Sequence, residues 1–151
     1  MIRIEYRRTG PYVEQGWENR EGADLAVVTV ADLRWYFFLS DLGFTIGEAV
    51  LTPPWSWTPV FDFLWSMKGV LGHLERGERT TIGFTENAEL IEFVPEPDGE
   101  RVRISCTYTT VEAVCERRDL KDAWLVLREA VLTRLSGEYP ELAANPALAG
   151  L

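Results

Sequence analysis

The sequence predicts an α+β fold: a mainly antiparallel β-sheet of about six to eight strands with two long amphipathic helices packed on one face. Three observations carry this. Residues 60–76 and 119–136 each set their apolar side chains on one helical stripe. Residues 101–108 alternate polar and apolar side chains, the period of a half-buried strand. The segment Pro95-Glu96-Pro97-Asp98-Gly99-Glu100 is a turn that joins this strand to the one before it. A length of 151 residues suits a single domain over 1–151.

Residues 2–8 alternate and predict the first strand, which Gly10-Pro11 ends. Residues 14–24 are polar, hold Gly16 and Gly22, and predict a loop around Trp17. Residues 25–30 form a β-branched run without alternation, the pattern of a strand covered on both faces. Residues 34–39 and 44–51 are two more strand candidates, separated by turn chemistry at Ser40-Asp41-Leu42-Gly43. The stretch 25–39 is apolar enough to admit a helix instead.

Pro53, Pro54 and Pro59 forbid regular structure around Trp55 and Trp57. Thr58 is a good helix N-cap and Pro59 suits the first helical position. Val60, Leu64, Met67, Leu71 and Leu74 then form the apolar stripe, widened by Phe61, Phe63, Trp65 and Val70, and Gly77 ends the helix. Residues 79–85 and 89–94 predict a hairpin, and residues 111–116 continue the 101–108 strand or begin another. Asp119 and Asp122 open the second helix, where the helix dipole favours acids. Its stripe is Leu120, Trp124, Leu127, Val131 and Leu135, and Gly137 ends it. Only a short terminal helix fits after Pro140, broken at Asn145-Pro146.

Composition narrows the function. With 24 acids against 15 bases the formal charge is −9, so the chain would repel a nucleic-acid backbone. No apolar run approaches the roughly 20 residues that span a bilayer. The first residues, Met1-Ile2-Arg3-Ile4-Glu5-Tyr6, are charged where a signal peptide needs an apolar run, so a cytoplasmic location is expected. Cys106 and Cys115 would face each other only across a tight hairpin at Thr110-Val111, and Thr109-Thr110-Val111-Glu112 lacks turn residues, so no disulfide is expected. One histidine and two cysteines are too few for an expected metal site. No Gly-rich phosphate loop, Gly-x-Ser-x-Gly elbow or Cys-x-x-Cys pair is present, and no cofactor is expected.

The candidate site residues fall in two groups. Glu86, Glu89, Glu92, Glu96, Asp98 and Glu100 place six acids in residues 84–100 with no Lys or Arg. They are a docking surface that steers a basic partner, or a solvated edge that blocks strand-to-strand aggregation. Trp55 and Trp57 sit on a proline-stiffened loop, as anchors for a partner or as a lid on the core. Trp17, Trp35, Trp65 and Trp124 are assigned to the core. His73 shares a helix face with Asp62, Ser66 and Gly69, and is a general base in a cleft or a solvated residue in the last turn. Gly69 and Gly72 either admit a close-packed neighbour or mark an exposed face.

The helix end Leu74-Glu75-Arg76-Gly77, then Phe84-Thr85-Glu86, Leu90-Ile91-Glu92-Phe93, the Pro/Asp/Gly turn and Val102-Arg103-Ile104 resemble small acidic bacterial proteins, some of the polymorphic-toxin immunity type. The resemblance covers about a third of the chain and carries over no catalytic residue. It implies a cytosolic, cofactor-free protein that caps the active site of a toxin. A non-catalytic binding protein for a basic partner is therefore the leading expectation. The alternative is a small-molecule-binding protein or cofactor-independent enzyme. It would have an aromatic-lined pocket between sheet and helices and acids among Asp41, Glu48 and Asp62.

Overall fold

The protein is described here from a computed structural model, which covers residues 1–85 and 87–151. Its elements in chain order are β1 (Ile2–Arg7), α1 (Val30–Trp35), β2 (Leu39–Ile46), β3 (Ala49–Val50), β4 (Thr58–Pro59), α2 (Val60–Glu75), β5 (Thr80–Gly83), β6 (Leu90–Pro95), β7 (Arg101–Cys106), β8 (Glu112–Glu116) and α3 (Arg117–Glu138). Short 3-10 turns occupy Val13–Gln15, Trp17–Asn19, Pro140–Ala144 and Pro146–Gly150. All strand pairing among the described residues is antiparallel, as the α+β class requires. The strands form two four-stranded sheets rather than one.

In the first sheet β2 lies between β1 and β3, and its opposite end pairs with β4. The second sheet is a β5-β6-β7-β8 meander in sequence order. Both sheets share one core with the long helices. Helix α2 packs on β5 and β6, and α3 on β1 and β8. The predicted stripe of α2 is buried throughout, as is that of α3. The Trp124 indole N–H reaches from α3 to the Leu64 carbonyl at 3.0 Å, so this large ring is satisfied as well as buried.

Several boundaries differ from the sequence expectation. Residues 25–30 are not a strand. The chain turns there, and the Thr29 side chain accepts from Asp32 N–H at 3.2 Å to cap α1. Asn145 fixes this turn by donating to the Leu25 and Val28 carbonyls, both at 2.9 Å. Residues 34–38 belong to the end of α1 and to a reversal at Phe38, whose φ of 54° is in the left-handed region, and Leu39 begins β2. The expected turn at Ser40-Asp41-Leu42-Gly43 is the middle of β2. Ser40, Leu42, Phe44 and Ile46 all point inward there, and the Ser40 hydroxyl donates to the Thr58 carbonyl at 2.9 Å.

Thr58 does not cap α2. Its hydroxyl accepts from the Trp55 indole at 3.2 Å, its backbone pairs in β4, and Pro59 takes the cap position. Gly77 ends α2 as expected, with φ of 72° and amides of Gly77 and Glu78 on the Leu74 and His73 carbonyls. Helix α3 begins at Arg117, two residues before Asp119, and Gly137 is inside its last turn. In the meander Cys115 lies opposite Val102, so the two cysteines are separated along the hairpin and both are free.

A Cβ on Gly69 would meet nothing within 4 Å, and on Gly72 only the Arg76 side chain, so neither admits a close-packed neighbour. Gly69 is exposed in the middle of α2. Gly69→Ala is therefore expected to stabilise the protein by about 0.5–1 kcal/mol, read as a higher urea midpoint.

Candidate functional site

The acids of residues 84–100 mostly pair with neighbouring groups at the surface of the second sheet. Glu92 projects outward from β6, as alternation requires, and meets Arg79 at 2.6 Å. Glu96 pairs with Arg103 at 2.7 Å, and Arg103 also reaches Glu112 at 3.2 Å. Asp98 accepts from the backbone of Glu100 and Arg101 and from the Arg101 guanidinium at 2.7 Å. These bonds, the Arg101 backbone amide first, pull the Asp98 carboxyl down to about 2. Glu89 accepts from the Thr107 hydroxyl. Glu100 is exposed at the turn, and Glu86 lies outside the described residues. The sheet thus interleaves its acids with Arg79, Arg101 and Arg103, and the unbroken acidic strip of the sequence becomes a mixed surface. The Asp98 carboxylate, followed by NMR from pH 7 downward, is expected to take up its proton only near pH 2; its contribution to the turn is present above the ordinary value of 3.8 and lost as pH falls through about 2.

Trp55 is a lid. Its ring packs edge-on against Phe84 and Tyr108, with centroids 4.6 and 5.2 Å away, and ties the proline loop to the meander. Trp57 stacks on Trp55 at 5.6 Å and faces the other way, into a cleft. This cleft, open to solvent and about 450 Å³ in volume, is lined by Tyr12, Gln15, Trp17, Trp35, Tyr36, Leu39, Trp57, Pro59 and Thr85. Five of those nine residues are aromatic. Trp35 and Tyr36 are 44% and 43% exposed, which corrects the assignment of Trp35 to the core. Trp17 and Trp65 are half-buried, and only Trp124 of the four is fully in the core.

A buried carboxylate builds the cleft. The Glu18 side chain has no exposed surface; it accepts from Phe38 N–H at 2.9 Å and from the Arg8 guanidinium at 3.3 Å. This clamps the 3-10 turns of residues 13–19 to the α1–β2 reversal. Trp17 N–H adds a bond to the Tyr36 carbonyl at 2.9 Å, and the two rings stack at 4.1 Å with planes 10° apart. Gly16 has no Cβ because one would overlap the Glu18 carboxylate. Arg8 continues the network to Glu138 at 2.9 Å and the Tyr139 hydroxyl at 3.3 Å. Burial pushes the Glu18 carboxyl up, against the opposing pull of Phe38 N–H and Arg8. On the far side Asp62 meets Arg34 at 2.7 Å and Ser66 meets it at 3.3 Å, which fastens α1 to α2. Burial raises the Asp62 carboxyl as well, with Arg34 and Trp35 opposing.

The other candidates do not converge. Asp41 accepts from Thr9 at 2.8 Å, at one end of β2. Glu48 lies beyond the other end, roughly 20 Å along the strand, and Asp62 is held by Arg34 on α2. His73 is in the last turn of α2, with Nδ1 at 2.7 Å from Glu78 and at 3.1 Å from Arg76. Between α2 and β5 a small pocket is lined by Trp57, Asp62, Phe63, Ile82 and Phe84, and its volume of about 10 Å³ holds no more than a single water. Among the described residues no helix is long and apolar enough to cross a membrane.

The sequence pointed to Trp57 but not to Tyr12, Trp35 and Tyr36 as surface. The Thr29-x-x-Asp32 cap was the available signal for α1, and with it for the exposed pair that follows. Comparison with protein-family models, curated proteins and solved structures gives no match to this chain. The arrangement defines a two-sheet α+β protein with an aromatic cleft on its surface.

Proposed function

We propose that the protein is a non-catalytic binding module that docks a basic protein partner through the Tyr12, Trp17, Trp35, Tyr36 and Trp57 cleft. The cleft itself carries this proposal: rigid aromatic rings, partly exposed and held by a buried hydrogen-bond network, are the side chains that dominate protein interfaces. The lining brings together no carboxylate, histidine, cysteine or amine among the described residues. The net charge of −9 supports a basic partner and fast, salt-sensitive encounter. Within this class the sequence resemblance supports an immunity-type inhibitor, acting in the cytosol, that caps a toxin or effector.

The test is to capture the partner from the native host and to measure its association rate across a salt series. A basic protein should bind the wild type, with a rate that falls as salt rises, because the Debye length shortens from about 10 Å at 0.1 M to about 3 Å at 1 M. Glu92→Lys/Glu100→Lys should slow association further. A rate indifferent to both salt and charge reversal would remove the basic partner from the proposal.

A small-molecule site is the alternative, favoured by a cleft volume of about 450 Å³, within the range of ligand pockets. The exposure of Trp35 and Tyr36 weighs against it, since ligand pockets bury most of the ligand surface.

A further inference from the structure

We propose that the aromatic cleft receives an arginine side chain of the partner, held flat against its rings. This rests on the cleft being the docking site, and it names the group that enters.

The protein already packs guanidinium groups on aromatic faces at this corner of the fold. The Arg20 guanidinium is 3.9 Å from the centroid of Trp17, while Tyr36 stacks on the same ring at 4.1 Å. Two groups that close cannot share one face, so Trp17 is sandwiched between them. Arg8 stands 5.5 Å from the Phe38 ring and 5.4 Å from the Tyr139 ring, one layer below. With both faces of Trp17 filled, Trp35, Tyr36, Trp57 and Tyr12 remain to meet a ligand.

The electrostatics of the cleft select the ligand. Aromatic faces carry negative quadrupole potential and attract cations. No lysine or arginine lines the cleft among the described residues, the Arg20 charge sits on the face of Trp17 turned away from Tyr36, and the chain as a whole is strongly acidic. A second copy of this chain would bring its own −9 charge, so charge complementarity points to a basic partner. The polar groups on the lining are neutral: the Gln15 amide, the Thr85 hydroxyl and the hydroxyls of Tyr12 and Tyr36. They offer acceptors to the in-plane N–H groups of a guanidinium. They offer no carboxylate to the compact, strongly hydrated ammonium of lysine, which therefore gains less on entry.

The test uses the full chain labelled with nitrogen-15, whose six tryptophans each give an indole N–H signal. The probes are N-acetyl-arginine N-methylamide and the matching citrulline and lysine compounds. The arginine probe should produce saturable shifts of the Trp35 and Trp57 signals, with an affinity on the order of 1–10 mM. Citrulline, planar but uncharged, should bind roughly tenfold more weakly, and lysine should fall between the two. Trp124, buried and bonded to Leu64, should not move. Tyr36→Leu should weaken the arginine probe while the chain keeps its far-ultraviolet circular dichroism. If that variant unfolds, Trp57→Leu supplies the same comparison. Equal binding of citrulline, no shift at Trp35 and Trp57, or unchanged binding in the leucine variant would overturn the proposal. If the partner nonetheless cross-links to the cleft, only the choice of arginine fails and the docking site stands.

Discussion

Leu127→Asp is expected to unfold the protein. Leu127 is 1% exposed, at the middle of the α3 stripe between Trp124 and Val131. A carboxylate there would have no partner and no water, and the leucine packing would be lost with it. The combined cost is about 4–6 kcal/mol, comparable to the whole stability of a small domain, roughly 5–15 kcal/mol. Leu71→Asp should cost less. Leu71 is 7% exposed and lines an open cavity, so water can reach the new charge. Val126→Asp, on the 68% exposed side of α3, should stay within about 0.5 kcal/mol of wild type. Urea unfolding followed by circular dichroism reads all three. A wild-type midpoint for Leu127→Asp would mean that α3 buries a different face.

Glu18→Ala is the second large effect. It strips the acceptor from Phe38 N–H and one partner from Arg8, both inside the fold. Leaving these groups unpaired costs about 2–4 kcal/mol. Because the same bonds hold Trp17 and Tyr36 in register, the near-ultraviolet dichroism of the cleft should fall even where the far-ultraviolet signal persists. Glu18→Gln keeps an acceptor and should be much milder. The two also differ in pH dependence. Burial raises the folded carboxyl of Glu18 above its ordinary value of 4.5, so its contribution is fully present below 4.5 and declines as pH rises through the folded value. The stability of wild type relative to Glu18→Gln should therefore drop from acid toward neutral pH. Asp98 and Glu78, both held below the ordinary range, shift in the opposite direction but are common to both proteins and cancel. A difference that is flat with pH would show that Glu18 is not held in a desolvated site.

The long helices and the meander were legible because each rests on a local, repeated pattern. Leu64, Met67 and Leu71 in α2 and Val102, Ile104 and Cys106 in β7 lie where 3.6- and 2-residue periods put them. Helix α1 was not, since six residues are too few to display a period inside the apolar run 25–39. The burial of Ser40 in β2 depends on the Thr58 carbonyl, 18 residues away, so turn composition at 40–43 misled. The acids of residues 84–100 were legible, but their pairing was not. Their counter-charges Arg79, Arg101 and Arg103 lie just outside residues 84–100 and reach across the ladder. The cleft is assembled from residues 12, 17, 35, 36, 57 and 85, and no local window contains it. Tryptophan is usually well buried, which put Trp35 in the core, whereas the α1–β2 reversal leaves its ring at the surface.

The most direct measurement is site-specific photo-cross-linking in the native host. A photoreactive phenylalanine analogue is placed at position 36, in the cleft, or at position 126, on the exposed side of α3. A docking cleft gives one predominant adduct from position 36, with a basic protein, and none of it from position 126. Adducts of equal yield from the two positions, or a partner trapped from position 126 alone, would contradict the assignment of the aromatic cleft as the binding site.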